Sequence, residues 1–193
     1  MSDYFLRRVC VYCGSSVGRH AAYADAAKEL AAVLVRHDIE LVYGGSSIGI
    51  MGVLADEVLK LGGKVHGVIP KMLEQKEIAH EDLTELHVVG SMHARKSMMA
   101  ALSDGFIAMP GGFGTLEEII EVLTWGQLRF HDKPCGLFNV RGYFDKLLDF
   151  LRHTEAEGFV RPENRTMLLC DDDPAGLIGQ FERYAAPHIE KWA

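Results

Sequence analysis

The strongest constraint on the fold is a unit that recurs along the chain. A short apolar run ends in a glycine-bearing turn, and a stretch of helical periodicity follows. The turns are Cys13-Gly14-Ser15-Ser16, Gly44-Gly45-Ser46-Ser47-Ile48-Gly49 and Pro110-Gly111-Gly112-Phe113-Gly114-Thr115. Apolar runs bounded by glycine or proline read as buried strands, and apolar residues every three or four positions read as helices. Strands are predicted at Arg8–Tyr12, Glu40–Tyr43, Lys64–Ile69, Gly105–Met109, Pro134–Phe138 and Thr166–Leu169. Helices are predicted at Tyr23–Val35, Ile50–Leu61, Ser91–Leu102, Thr115–Leu128, Tyr143–Glu157 and Pro174–Ala185. This alternation implies the α/β class: a doubly wound parallel sheet with helices on both faces. The 193 residues fit a single domain, 1–193. The glycine turns then gather at the carboxyl edge of the sheet, where such folds bind ligands. Pro70–Glu85 is polar and irregular, and is expected to be a loop over that edge.

Charge and cysteine usage narrow the setting. A net charge of −7 argues against nucleic acid or an acidic membrane surface as partner, since both need a basic face. No window approaches the length of a membrane span. The apolar run after Arg7 and Arg8 breaks at Cys13-Gly14, too soon for a signal peptide, so the cytoplasm is the expected location. Cys10 and Cys13 are spaced as C-x-x-C, but along a strand such positions face opposite sides. Cys135 and Cys170 are isolated, so buried thiols are expected rather than a zinc quartet. The histidines are scattered and show no metal-ligand spacing, so no metal site is expected.

The third turn carries the most chemistry. A glycine-rich strand-to-helix turn presents bare backbone N–H groups, and the positive end of a helix dipole, to an anion such as phosphate. Glu117 and Glu118 are expected in the first turn of that helix, which places carboxylates beside the anion site. None of the turns has the dinucleotide pattern G-x-G-x-x-G or the lysine of a Walker loop. Together they favour a mononucleotide or sugar phosphate. Each alone is also explained by the geometry of a tight turn. Thr115-Leu116-Glu117-Glu118 is moreover a capping box, in which Thr115 caps the helix and Glu118 reaches back to the Thr115 N–H. That reading leaves the crowding of Glu117, Glu118 and Glu121 unexplained. Like charges four apart cost a few tenths of a kcal/mol and call for cationic company. Arg95 and Lys96, in Met92-His93-Ala94-Arg95-Lys96, would open another helix against its dipole, which suits a nearby anion.

Pro110–Glu118 fits P-G-G-x-G-T-x-x-E, and Met92–Lys96 fits its companion M-H-x-R-K. On these paired motifs the chain resembles the LONELY GUY (LOG) family, long mislabelled as lysine decarboxylases. The likeness runs from the Cys13–Ser16 turn to about Arg165. It implies a Rossmann-like fold, and a homodimer with its site near the interface. It also implies hydrolysis of the N-glycosidic bond of nucleoside 5′-monophosphates, above all cytokinin ribotides and including AMP. By matching position, Arg95 and Glu118 correspond to the catalytic pair. Glu77, Gly45, Lys96, Thr124 and the turn Gly112, Phe113, Gly114, Thr115, Leu116, Glu117 and Glu118 correspond to nucleotide contacts. Ser46 stands where the family usually has a third glycine, and is expected to narrow the second turn's approach to ligand. The chemistry needs no cofactor. A non-catalytic nucleotide-binding module is the other reading of the same features.

Overall fold

The structure is a computed structural model that describes residues 6–74 and 79–187. Its strands are β1 (Arg8–Tyr12), β2 (Glu40–Tyr43), β3 (Val65–Pro70), β4 (Glu85–Val89), β5 (Gly105–Ala108), β6 (Cys135–Phe138) and β7 (Leu168–Asp171). Its helices are α1 (Ala22–Arg36), α2 (Gly49–Lys60), α3 (Lys71–Glu74), α4 (Met92–Leu102), α5 (Phe113–Gln127), α6 (Asp145–Ala156), α7 (Pro162–Arg165) and α8 (Pro174–Glu182). The strands form one 7-stranded sheet in the order β4-β3-β2-β1-β5-β6-β7, and every pair is parallel.

Alternation along β1 explains the two layers. Val9 and Val11 join one apolar cluster with Ala27 and Leu30 of α1, Leu54 of α2 and Phe181 of α8. Cys10 and Tyr12 join the other, with Met99 of α4 and Ile119 and Val122 of α5. Both faces are therefore covered, as a parallel sheet requires. Cys10 and Cys13 fall in opposite clusters, and both thiols are free and buried.

The chain builds outward from β1 to β4, then returns to β1's other side with β5. The strand order reverses between β1 and β5. At such a switch point the connections leave in opposite directions and open a crevice at the strands' carboxyl ends. The turns that follow these two strands, Cys13–Ser16 and Pro110–Gly112, flank that crevice. They touch through Gly14 N–H, which donates to Pro110 O at 3.2 Å.

Some sequence expectations are corrected. The Pro70–Glu85 segment includes the short helix α3 and leads directly into β4, a strand that was not expected. The helix expected over Tyr143–Glu157 begins at Asp145, behind a 3-10 turn at Val140–Gly142. The helix expected from Thr115 begins at Phe113, with Gly112 as its N-cap and no side-chain cap bond. The capping box is therefore not formed. Glu117 and Glu118 lie in the second turn, and the first turn of α5 carries no acid.

Candidate active site

A cleft of about 330 Å³ opens at the switch point. Cys13, Gly14 and Ser15 line it from the β1 end, Met51 and Leu73 from the side, and Met92 and Arg95 from α4. Gly112, Phe113, Gly114, Thr115, Glu117 and Glu118 line it from the start of α5. The volume lies within the ~300–1,000 Å³ of small-molecule sites.

The turn before α5 shows why glycine is needed there. A Cβ on Gly111 would collide with Thr115 Oγ1 and lie 2.9 Å from the Gly14 nitrogen. Close packing of the β1 and β5 turns therefore excludes any side chain at that position. The first helical bond of α5 runs from Leu116 N–H to Gly112 O. The N–H groups of Phe113, Gly114 and Thr115 precede it and have no intrahelical acceptor. They belong to residues that line the cleft, so this helix end offers donors and a positive dipole to an anion. The second turn differs. The N–H groups of Ile50 and Met51 at the start of α2 both point to Gly14 O, at 3.0 and 3.4 Å. That helix end is occupied by the chain's own carbonyl.

Arg95 is 6% exposed and is held by backbone. Its Nε donates to Val68 O at 3.0 Å and its Nη2 to Gly44 O at 2.9 Å. A Cβ on Gly44 would collide with that Nη2, so the second glycine turn acts by seating the guanidinium. Nη1 lies 3.9 Å from Met92 Sδ, beside the cleft. With two of its nitrogens tied down, the group has one edge left for a ligand.

Glu118 shares this cleft. Burial pushes its carboxyl up to about 7, while the nearby Arg95 charge acts in the opposite direction and Glu117 adds to the rise. A carboxylate that titrates near neutrality can exchange a proton during a reaction. Lys96 meets a different need. Its Nζ lies 2.5 Å from Glu117 and 3.0 Å from Glu121, so it is the cation that the crowded acids required. Burial works against its charge, but the two acids outweigh that and hold its pKa above the usual lysine value.

The profile of a family described as "possible lysine decarboxylase" matches residues 51–181. A probable cytokinin riboside 5'-monophosphate phosphoribohydrolase of Oryza sativa subsp. japonica is 50% identical over 182 residues, covering 94% of this chain and 75% of that protein. The chain belongs to the LOG family. A cytokinin riboside 5'-monophosphate phosphoribohydrolase of Arabidopsis thaliana is 48% identical over 94% of this chain and 85% of its own length. Among solved structures, the molybdenum cofactor carrier protein of Chlamydomonas reinhardtii shares the fold, with a TM-score of 0.69 at 22% identity over 93% of this chain and 98% of that one.

Measured against the LOG pattern, the residues separate into groups. Arg95, Gly112, Phe113, Gly114, Thr115, Glu117 and Glu118 come together in the cleft. Lys96 and Leu116 do not line it: Lys96 turns to the acids of α5, and Leu116 packs into the core beside Ile119. Gly45 packs against β3, where its φ of +77° and contacts to Ile69 and Leu86 demand glycine. Ser46 is fully buried, and its Oγ accepts from Ile48 N–H at 3.4 Å. It does not line the cleft, contrary to the expectation that it narrows the approach. Thr124 is exposed and lines a separate cavity of about 130 Å³ with Ile120, Leu123 and Leu151. Glu77 lies outside the described residues. The sequence reading did not single out Met51, Leu73 or Met92 as lining residues, nor the carbonyls that seat Arg95. Met92 begins the M-H-x-R-K motif and was the one with a signal to find.

A second hollow of about 280 Å³ adjoins the first through Gly14, Ser15 and Gly112, and is floored by Tyr23, Ile50 and Tyr143. The Tyr143 hydroxyl donates to Gly111 O at 2.6 Å and so braces the glycine turn from behind. This second hollow contains neither Glu118 nor Arg95, both of which line the first cleft.

Proposed function

We propose that this chain hydrolyses the N-glycosidic bond of a nucleoside 5′-monophosphate, cytokinin riboside 5′-monophosphate or AMP, to the free base and ribose 5-phosphate. The observation that carries the reading is a single cleft holding both an open helix N-terminus and a partly buried, desolvated acid. The names of the similar rice and Arabidopsis proteins describe the same reaction.

In this reading the 5′-phosphate sits on the N–H groups of Phe113, Gly114 and Thr115. Cleavage of the C1′–N bond builds positive charge on the ribose, as in other glycoside hydrolyses. The Glu118 carboxylate stabilises that charge and takes a proton from the water that adds to C1′. The electrons of the broken bond leave with the base, which gains a proton. Arg95, fixed by Val68 and Gly44, holds ribose or phosphate oxygens with its free edge. Binding energy gathered at the phosphate positions the remote bond. Lys96 acts indirectly, by neutralising Glu117 and Glu121. A decarboxylase role would need a lysine amine free to form an aldimine. The Lys96 ammonium, locked between two acids, is a poor source of one.

The whole chain, 1–193, works as one unit in this reading. It acts in the cytoplasm as a homodimer whose interface lies near the site. The reading is tested by assaying base release from AMP and from adenosine side by side. The phosphorylated substrate is expected to react at least 100-fold faster in kcat/KM. Equal rates on the two would remove the phosphate cradle from the account.

A further inference from the structure

At the opposite, amino-terminal edge of the sheet lies a group of side chains that the proposed reaction does not use. We propose that His66, Glu85 and His87 form a binding site for a divalent metal of the zinc class.

Strand register creates the cluster. His66 of β3 pairs with Glu85 of the edge strand β4, and His87 is two residues further along β4. Residues two apart on a strand share a face, so all three side chains emerge on one side. The ligand atoms lie within 4.8 Å of one another. Glu85 Oε2 is 3.3 Å from His66 Nδ1 and 3.4 Å from His87 Nε2. Zinc–nitrogen bonds of ~2.0–2.1 Å in a tetrahedron set neighbouring ligand atoms ~3.3–3.4 Å apart. The two separations from Glu85 match edges of that tetrahedron, and the two histidine nitrogens lie within 4.8 Å of each other.

Hydrogen bonding points the same way. His66 Nε2 lies 2.8 Å from Glu40 Oε2. Glu40 is paired with two cations, accepting from Arg8 Nε at 2.8 Å and from Lys64 Nζ at 2.9 Å. An ionised carboxylate only accepts, so His66 donates from Nε2. In the neutral ring, Nδ1 then directs a lone pair toward the Glu85 oxygen. His87 Nε2 is shielded from solvent and has no hydrogen-bond partner among the described residues. Where His66 Nδ1 and His87 Nε2 both carry lone pairs, they face the Glu85 oxygen across 3.3–3.4 Å, and a cation between them reconciles the three acceptors. A histidine ligand whose second nitrogen donates to a carboxylate is the usual outer arrangement of a zinc site. Glu40 supplies that carboxylate. Glu85 is 56% exposed on its side chain, which leaves an entry path and a fourth position for water. The metal would tie the edge strand β4 to β3, at the edge of the sheet opposite the one where Glu118 lies.

The test uses the full-length chain, free of any affinity tag and stripped with a chelator, titrated with zinc chloride by calorimetry. One zinc per chain is expected, with a melting temperature higher by about 5 °C at saturation. His87→Gln and Glu85→Gln are each expected to weaken binding at least 100-fold, and Glu40→Gln about tenfold. Circular dichroism identifies any variant that fails to fold, and the remaining variants decide. Failure of the wild-type chain to bind zinc, as for a His66 imidazolium bridging Glu40 and Glu85, would overturn the proposal. Unchanged affinity in folded His87→Gln and Glu85→Gln would do the same.

Discussion

At the scale of single residues, Glu118 shows how desolvation shifts an acid. Its carboxyl is raised from 4.5 to about 7, chiefly because the cleft desolvates the charged form. A folded-state pKa above the unfolded one means that folding favours the protonated acid. That contribution is fully present below about pH 4.5 and is lost as pH rises through 7. Glu118→Gln is neutral at every pH and escapes the loss. Its melting temperature is expected to exceed wild type by on the order of 5 °C at pH 8, and to match it near pH 4.5. A cap residue would show the reverse, since losing a cap destabilises the helix. In the proposed reaction the same titration sets the activity profile. If the ionised carboxylate is the working form, kcat/KM rises from pH 6 to pH 8 with a midpoint near 7. A profile that falls over this range would make Glu118 a proton donor instead.

At the scale of elements, the glycine turns divide the labour. The turn after β5 leaves helix donors open, the turn after β1 packs against it, and the turn after β2 seats Arg95. Gly44→Ala is therefore expected to lower kcat/KM at least tenfold by pushing on the guanidinium, although residue 44 does not line the cleft. Gly90→Ala, with open space around its Cβ position, serves as the neutral control in the same assay. Much of this level was legible in the residues. Apolar runs flanked by glycine located six strands, and Ser91 proved to be the N-cap of α4, accepting from Ala94 N–H. The misreadings have physical causes. Strand β4 alternates polar and apolar residues on a half-exposed edge, so it lacks the continuous apolar run that marks the buried strands. The start of α5 was placed two residues late because Thr115 and Glu118 imitate a capping box, whereas Thr115 is buried beneath Gly111. Which motif residues face the cleft depends on α5's rotation and on where Lys96 finds its acids. Neither is written in local spacing.

At the scale of the whole molecule, the fold sets out the functions by edge and by depth. The switch point between β1 and β5 fixes the cleft at the carboxyl edge, and the histidine cluster falls at the other. Long-range pairing created that cluster, which is why scattered histidines gave no sequence signal. Covering both sheet faces also hides the thiols. Cys10, Cys13 and Cys135 are buried, which pushes their pKa values up, and Cys170 is only partly covered. A thiol-specific chromogenic reagent is expected to modify at most one cysteine quickly in the native chain and all four after denaturation.

The central claim is that the open end of α5 binds the nucleotide while Glu118 acts on its glycosidic bond. Turnover of AMP and the calorimetric affinity for AMP, measured together on wild type and Glu118→Gln, test it most directly. The variant is expected to bind AMP within about threefold of wild type while kcat falls at least 100-fold. A folded variant that retains wild-type turnover would contradict it.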